Sequence, residues 1–326
     1  MINKDKDYLL DFLSRHNNKK TVFTISTSVT LRGDVSYYLT PERINHNSSL
    51  VGVVLSDLNV LTPIKDILIL FDCILVDQEK KLLSGNATPI NLERFVWDMF
   101  GQHGDEFVNK IRYYKANDLT VDSAFEFLNY RARSTKTILG GKDVLILGAG
   151  NIGFKLGIKL VEAGVNVWLY RRDSIKLREM VNVINSLRPM ATVAKAKVFE
   201  LDQDQIYFAV VGASSSCIDI DISSFLGADS VVIDIGKGSF SLNMIQFLQD
   251  KNVDCVRLSV ENELKFLVMK SLSDELSYPL RSVIDGIHYV SGGMMGKYGE
   301  LVVNNASNPT IVYGVANGCG DFIDEE

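Results

Sequence analysis

Histidine and cysteine are scarce in this chain, four of each in 326 residues, and neither is arranged for chemistry. Cys73, Cys217, Cys255 and Cys319 lie far apart with no Cys-x-x-Cys pair. That spacing argues against a zinc site and against a disulfide framework, and points to four reduced, buried thiols. His16, His46, His103 and His288 show no ligand spacing, so no metal site is expected. Long apolar runs are missing too. None approaches the roughly 18 residues of a membrane span, and the longest, Ile67 to Val76, is broken by Asp72 and suits buried sheet. There is no basic block: 34 Lys and Arg are mixed with 40 Asp and Glu for a net charge of −6, so a nucleic-acid partner is not expected. The charged opening Met1-Ile2-Asn3-Lys4-Asp5-Lys6-Asp7 lacks the apolar core of a secretory signal behind it, and a cytoplasmic protein is the expectation. No internal repeat or low-complexity segment is found.

What is present is enough apolar sequence, 46% of the chain, for large buried cores, in a length that favours two domains. Up to about residue 140 the pattern is mixed. A short helix is expected over Tyr8–Leu13 and strands over Thr21–Ser26, Val51–Leu55 and Ile67–Val76, with a loop over Leu39–Asn47. Helices are expected over Leu92–Phe100 and over Val121–Arg133, the latter with Asp122 and Ser123 near its start. After Gly140-Gly141-Lys142 strands and helices alternate: strands Asp143–Leu147, Val165–Tyr170, Lys197–Glu200, Tyr207–Gly212, Ser230–Ile235 and Asp254–Leu258, helices Ile152–Ala163, Ile175–Leu187 and Leu242–Asp250. Such alternation predicts a doubly wound parallel sheet. The expected fold is therefore α/β, a Rossmann sheet with a smaller N-terminal α/β substrate domain. The expected divisions are 1–120 for substrate, 121–290 for the dinucleotide and 291–326 as a glycine- and asparagine-rich C-terminal segment bracing the cleft, frayed at Asp324-Glu325-Glu326.

The most specific signal is the turn Gly148-Ala149-Gly150-Asn151-Ile152-Gly153. It follows a β-branched strand, opens a helix with apolar residues at Ile152, Leu156 and Leu160, and that helix stops at Gly164 before a second strand. This is the full βαβ context of a dinucleotide fingerprint: Gly148 for the tight turn, Gly150 for approach of backbone to the pyrophosphate, Gly153 for close helix–strand packing. The helix N-terminus adds free N–H groups and its positive dipole end. The second strand ends in Tyr170-Arg171-Arg172-Asp173 rather than in the lone acidic residue that binds an NAD ribose. Two guanidiniums there suit a 2′-phosphate, so NADP is the expected cofactor, with NAD left open through Asp173. Two further strands end in small residues, Gly212-Ala213-Ser214 and Ile235-Gly236, expected to pass the nicotinamide end of the cofactor. Asp234 and Lys237 lie beside them, with a capping role for Asp234 equally open.

These features resemble the shikimate dehydrogenase and glutamyl-tRNA reductase superfamily, and Val232-Ile233-Asp234-Ile235-Gly236 is similar to methylene-tetrahydrofolate dehydrogenases. The resemblance implies that Arg172 is the 2′-phosphate contact. In the N-terminal half, Asn59-Val60-Leu61-Thr62-Pro63-Ile64-Lys65 is similar to a shikimate dehydrogenase motif whose lysine is catalytic, with the threonine one place late. Leu83-Ser84-Gly85-Asn86-Ala87-Thr88 is similar to a second motif of that family and makes Asn86 a candidate, with Thr88 where the family has aspartate. Ser26-Thr27-Ser28 and Gly293-Met294-Met295 are fainter echoes. Chemistry alone also allows Lys65, since an ammonium can protonate a carbonyl as hydride arrives, with a surface lysine on a turn left open as the alternative. Lys297 with Tyr298, and Lys115 with Tyr113 and Tyr114, are further acid–base candidates. The expected activity is an NADP-dependent dehydrogenase or reductase on a small polar metabolite, with a homodimer as one assembly. A folate-type or amino-acid-type dehydrogenase, and a non-catalytic dinucleotide sensor, remain alternatives on the same fold.

Overall fold

The computed structural model describes residues 2–28, 31, 35–80, 82–83, 89–101, 107, 109–201, 204–273 and 280–323. The chain forms two compact units, Met1–Val268 and Met269–Glu326.

The first unit holds two sheets. Its N-terminal sheet contains β1 (Lys20–Thr27), β2 (Tyr37–Leu39), β3 (Arg43–Ile44), β4 (Ser48–Leu55), β5 (Cys73–Asp77) and β6 (Ile111–Tyr114). Their order is β2-β4-β1-β5-β6, with β3 also on β4. β1, β4, β5 and β6 run parallel, and β2 and β3 are antiparallel to β4. Helices α1 (Ile2–Arg15), α2 (Lys65–Leu68, after a 3₁₀ stretch Leu58–Ile64) and α3 (Leu92–Phe100) complete this layer. Phe12, Phe23, Phe71, Ile25 and Leu61 fill the core between helices and sheet. Strands β1 and β4 approach so closely that a Cβ on Gly52 would lie 1.8 Å from Thr24 Oγ1, its partner in register. Glycine at 52 leaves room for that hydroxyl.

The second sheet is the predicted doubly wound one. After α4 (Ala116–Ser134) come β7 (Asp143–Leu147), α5 (Asn151–Glu162), β8 (Asn166–Tyr170), α6 (Ser174–Leu187), β9 (Ala196–Val198), β10 (Tyr207–Gly212), β11 (Leu226–Asp234), α7 (Leu242–Asp250), β12 (Asp254–Arg257) and α8 (Glu261–Leu272). The order is β12-β11-β10-β7-β8-β9, and every pair is parallel. Read from β9, this is the Rossmann order, whose switch point lies between β7 and β10. Side chains alternate across it as a two-sided sheet requires. Val144, Ile146, Val211 and Ile233 face α4, α5 and α6, while Leu145, Leu147, Val210 and Val232 face Tyr207, Phe225 and α7.

The two layers join where β6 passes through Lys115 into α4. Asp77, fully buried at the end of β5, accepts from the Glu79 N–H at 3.1 Å and the Ala116 N–H at 3.2 Å. Lys155 on α5 pairs with Asp118 at 2.6 Å and with Glu79 at 3.5 Å. The carboxyl ends of β5 and β6 thus meet the start of α4 and the early turns of α5.

The second unit is a five-stranded sheet of β13 (Arg281–Ile284), β14 (Ile287–Ser291), β15 (Leu301–Val303), β16 (Val312–Ala316) and β17 (Phe322–Ile323), in that spatial order. Only β14 and β15 pair in parallel. Val290, Val302 and Ala316 form its small core, and the Arg281 guanidinium binds the buried Glu300 carboxylate at 2.7 Å.

Several expectations need correction. Ile67–Val76 is not one strand: Ile67 and Leu68 end α2, the chain turns over Leu70-Phe71-Asp72, and β5 begins at Cys73. The turn is held by Asp72, whose carboxylate accepts from the Thr21 N–H at 2.7 Å and the Thr21 hydroxyl at 3.0 Å. The helix expected from Val121 starts a turn and a half earlier, because Ala116 is anchored by Asp77. Between Leu39 and Asn47 the chain is not all loop, since β3 pairs with β4 there. The glycine- and asparagine-rich C-terminus carries a sheet, while its last three residues lie outside the described ones. Cys73 is buried, its thiol pushed up to about 11 by desolvation, but Cys217 and Cys319 are exposed, on loops that no core covers. No helix among the described residues is long and apolar enough to cross a membrane, and no group of His, Cys, Asp and Glu among them is placed to hold a metal ion.

Candidate functional site

A groove of about 600 Å³ lies over the carboxyl ends of β7, β8 and β10, at the switch point. Its floor is Gly148, Ala149 and Gly150. Tyr170 to Asp173 form one wall and Ala213 to Asp219 the other.

The floor is built by close backbone contacts. Gly148 has φ of +109°, and a Cβ there would fall 2.7 Å from the Ala213 carbonyl carbon and the Ser214 nitrogen. Both the conformation and the contact demand glycine. The Gly148 and Ala149 N–H groups donate to the Tyr170 carbonyl at 3.0 Å, which ties the turn to the end of β8. A Cβ on Gly153 would lie 2.3 Å from Gly148 O and 3.2 Å from Ile146 Cγ2, so the third glycine lets α5 seat on β7. Gly150 differs: a Cβ there meets nothing within 4 Å. It faces open space in the groove.

Gly150 is also the N-cap of α5, and no side chain caps that end. By contrast α3, α6 and α7 are each capped by a side chain, from Asn91, Asp173 and Ser241. The first intrahelical bond of α5 runs from Phe154 N to Gly150 O at 2.8 Å, so the N–H groups before it, with the positive dipole end, are oriented for an anion.

The residues closing β8 divide their work. Arg171 donates through Nη1 to Ala149 O at 2.7 Å, bracing the glycine turn from the side. Asp173 accepts from the Lys176 N–H at 3.1 Å as the N-cap of α6. Arg172 is exposed on the groove wall, and no protein partner for it is found among the described residues.

The loops after β10 and β11 are locked to each other. Ser239 Oγ donates to Ser214 O at 2.9 Å and accepts from Ser214 N at 3.2 Å. Ile235 N and Gly236 N both donate to Gly212 O. A Cβ on Gly212 would lie 2.5 Å from the Ser239 and Phe240 side chains, and one on Gly236 would lie 2.0 Å from Ser214 O. Loop-to-loop packing is thus a sufficient reason for both glycines. The Asp234 carboxylate closes the second loop, accepting from Gly238 N at 2.8 Å and Ser239 N at 3.3 Å.

Of the residues singled out in the sequence, Gly148, Ala149, Gly150, Arg171, Arg172, Ala213 and Ser214 meet in this groove. Asn151, Ile152 and Gly153 follow as the first turn of α5. Gly212, Ile235 and Gly236 lie behind it in the loop packing. Lys65 is half-buried in the first turn of α2, on the crossover from β4 to β5, and is not part of the groove. Asn86 and Thr88 lie outside the described residues. Lys115 is exposed at the head of α4, and Lys297 and Tyr298 are exposed in the second unit. Tyr114, at the end of β6, is different. Burial raises its hydroxyl well above the ordinary phenol range, the Asp77 charge adds to that, and Ser26 hydrogen-bonds it. It is a donor that stays protonated. Cys217, Ile218 and Asp219 in the groove wall were not anticipated; they are placed there by the bond from Ile218 N to Ser239 O at 2.9 Å, a long-range contact with no local signature.

No protein-family model and no curated protein matches the chain. Solved structures are similar in fold. The hetero-hexameric glutamate dehydrogenase of Thermus thermophilus shares 12% identity over 74% of this chain with a TM-score of 0.40, and the chain spans 64% of that protein's length. The L-tryptophan dehydrogenase of Nostoc punctiforme shares 13% identity, covering 73% of this chain and 70% of that one, with a TM-score of 0.38. Shikimate 5-dehydrogenase of Listeria monocytogenes shares 12%, covering 76% and 96%, with a TM-score of 0.37. At such values the fold assignment rests on this chain's own strand order.

Proposed function

We propose that the first unit is an NADP-dependent oxidoreductase that passes hydride between the nicotinamide and a small polar metabolite. The observation that carries this reading is the uncapped N-terminus of α5 beneath the open Gly150, with Arg172 at the end of β8 free of partners among the described residues. The pyrophosphate fits the helix end, where N–H groups and dipole both favour anions. The preference for NADP follows from the division of labour at the strand end. Asp173, the residue that would bind an NAD ribose, is used as the cap of α6. Arg172 is left to meet a 2′-phosphate, two of whose oxygens its planar fork can bind.

The nicotinamide would supply the redox chemistry, and the chain would supply position and charge. The substrate would lie where the carboxyl ends of the two sheets converge, in the manner of ligands bound outside strand ends in open α/β sheets. Tyr114 is a protonated hydrogen-bond donor at that edge. A small polar substrate suits the hydroxyls of Ser26 and Tyr114, at the ends of β1 and β6.

The test is a pair of binding titrations with NADP and NAD, followed by a substrate screen with the preferred cofactor. NADP binding tighter than NAD, with turnover on at least one carbonyl, imine or alcohol metabolite, is expected. Failure to bind either dinucleotide would refute the reading, and binding without turnover across the screen would favour a sensor.

A further inference from the structure

An exposed apolar tip stands on the amino edge of the Rossmann sheet, the edge opposite the dinucleotide groove. α6 ends at Leu187 because Pro189 follows it: proline brings no N–H to a helix and holds the residue before it extended, and Arg188 has φ of −58° and ψ of 133°. The chain then turns sharply back into β9. Thr192 N donates to Pro189 O at 3.2 Å and Ala194 N to Thr192 Oγ1 at 3.2 Å, while the Asn185 amide exchanges two bonds of 2.9 Å with the Ala196 backbone. The loop is therefore pinned by its own polar groups, and its apolar side chains are left outside: Met190 is 105% exposed and Val193 92%. The connection from α4 to β7 lies beside it. A Cβ on Gly164 would fall 3.8 Å from Thr192 Oγ1 and 3.9 Å from Gly140 Cα. That connection adds Ile138, 77% exposed, and the end of α6 adds Leu187.

Cations far apart in sequence gather around these side chains. Lys136 and Lys142 flank Ile138, and Arg188 and Lys195 flank Met190 and Val193. Lys142 and Lys195 are tied to the same edge at the strand starts, since Asn166 N donates to Lys142 O at 2.9 Å and Val167 N to Lys195 O at 3.0 Å. Residues 136–143, 162–166 and 174–198, with Asp229 beyond Lys142, carry seven Lys and Arg against four Asp and Glu, a net of +3 on a chain of −6. We propose that this tip docks on an anionic phospholipid surface, with Met190, Val193 and Ile138 entering the boundary between headgroups and acyl chains and the cations meeting the lipid anions. Two observations favour a bilayer over a protein partner. The apolar side chains project singly and almost fully exposed, and a fluid interface moulds around such projections, whereas a folded partner would have to supply a pocket for each. The positive face also lies on an otherwise acidic chain, so the field of an anionic leaflet orients this edge toward the lipid and the dinucleotide groove away from it. Peripheral docking needs no spanning helix, and none is present among the described residues.

The test does not depend on the proposed activity. The full chain is mixed with sedimentable vesicles of phosphatidylcholine alone and of phosphatidylcholine with phosphatidylserine, at low and at high salt, and the bound fraction gives the partition constant. Binding to the phosphatidylserine vesicles is expected to be at least about tenfold tighter than to the neutral ones, and to weaken with salt. Met190→Ser with Val193→Ser should weaken it by about tenfold or more, through lost apolar contact. Lys136→Glu with Lys195→Glu should also weaken it by about tenfold or more, at about fivefold per cation. All four side chains are exposed, so both double variants should keep the wild-type melting curve and NADP affinity. No binding to phosphatidylserine vesicles overturns the proposal, and so does equal binding to neutral vesicles or wild-type binding in either double variant. Sedimentation velocity supplies the remaining outcome: a dimer that Met190→Ser with Val193→Ser dissociates would make the tip an interface between copies and overturn the lipid assignment.

Discussion

Replacing Arg172 and Arg171 one at a time separates cofactor choice from cofactor binding. Arg172 is exposed on the groove wall and has no described protein partner. Its removal therefore costs the free protein almost nothing, and any effect reports the ligand. A guanidinium bonded to a phosphate contributes about 1.5–3 kcal/mol. Arg172→Ala should then raise the Kd for NADP by about 10- to 150-fold, at 1.4 kcal/mol per factor of ten. The Kd for NAD, which has no 2′-phosphate, should move less than about twofold, because a solvated side chain not in contact contributes within about 0.5 kcal/mol. Arg171→Ala should behave differently. It deletes the bond to Ala149 O at 2.7 Å, which braces the glycine turn itself. Losing it should weaken NADP and NAD by a common factor of about five to ten, the worth of one hydrogen bond. Fluorescence titrations of the wild type and both variants with the two cofactors are the assay. Equal losses of NADP and NAD in Arg172→Ala would remove the 2′-phosphate assignment. A selective loss of NADP in Arg171→Ala would transfer the role to that residue.

Gly150 has φ of −88° and space around a Cβ, so Gly150→Asp is sterically allowed. It should stabilise the ligand-free protein by a few tenths of a kcal/mol as a helix cap while weakening dinucleotide binding through charge repulsion, and opposite signs in melting and titration are the check. Gly153→Ala should destabilise by about 1–3 kcal/mol and abolish tight binding, since the added Cβ would sit 2.3 Å from Gly148 O; a Tm within a degree of wild type would contradict this. Glu42 is held down from 4.5 to about 2 chiefly by its bonds to Arg15, with burial opposing. Its folded value is depressed, so its contribution is present above pH 4.5 and is lost as pH falls toward 2. Arg15 is 43% exposed and Glu42 19%, so the roughly 3 kcal/mol of the full shift is reduced by solvent screening to about 1–2. Urea unfolding should show that much less acid sensitivity in Glu42→Gln. Lys65→Ala should leave both cofactor affinities unchanged, because the lysine is not part of the dinucleotide groove; a change beyond about twofold would show coupling between α2 and the glycine turn.

How much of this could be read from the chain depended on how local each determinant is. The β7–α5–β8 unit was legible because strand, glycine turn, helix period and Gly164 stop fall within thirty or so residues, the length of one βαβ unit. Leu92–Phe100, Tyr207–Gly212 and Leu242–Asp250 were bounded correctly for the same reason, each having its period and its punctuation in place. Ile67–Val76 misled because an apolar run carries no period; the turn inside it is made by Asp72 bonding to Thr21, on a strand fifty residues away. α8 gave little signal, since Leu264 and Val268 are its only buried side chains among the described residues. The sheet of the second unit was hidden by glycines and asparagines that read as loop, and its strands of two to five residues are too short to show alternation.

The partial legibility of the groove has a physical origin in how each residue meets its neighbours. Glycine at 153 is required by the Gly148 backbone five residues before it, and glycine at 148 by its own φ of +109° as well as by the loop at Ala213, so the motif carried most of its own reason. At Gly212 and Gly236 the same residue type answers a contact between two loops, and an expected role in clearing a cofactor rests on the same letters. Asp173 shows the converse. In sequence it is an acidic residue at the place where a ribose would be bound, and only the bond from Lys176 N commits it to the helix. A carboxylate so engaged has fewer lone pairs and a less favourable orientation for a sugar hydroxyl. At the end of β8, Arg172 is the charged side chain left without a described partner, and the same logic makes the missing cap on α5 meaningful. Three helices around it carry a capping side chain, worth a few tenths of a kcal/mol more than glycine, and α5 has glycine instead at the helix start that opens onto the groove floor. An anion bound there would restore what the sequence leaves out, which is why the vacancy at the cap, rather than the glycines alone, supports a dinucleotide.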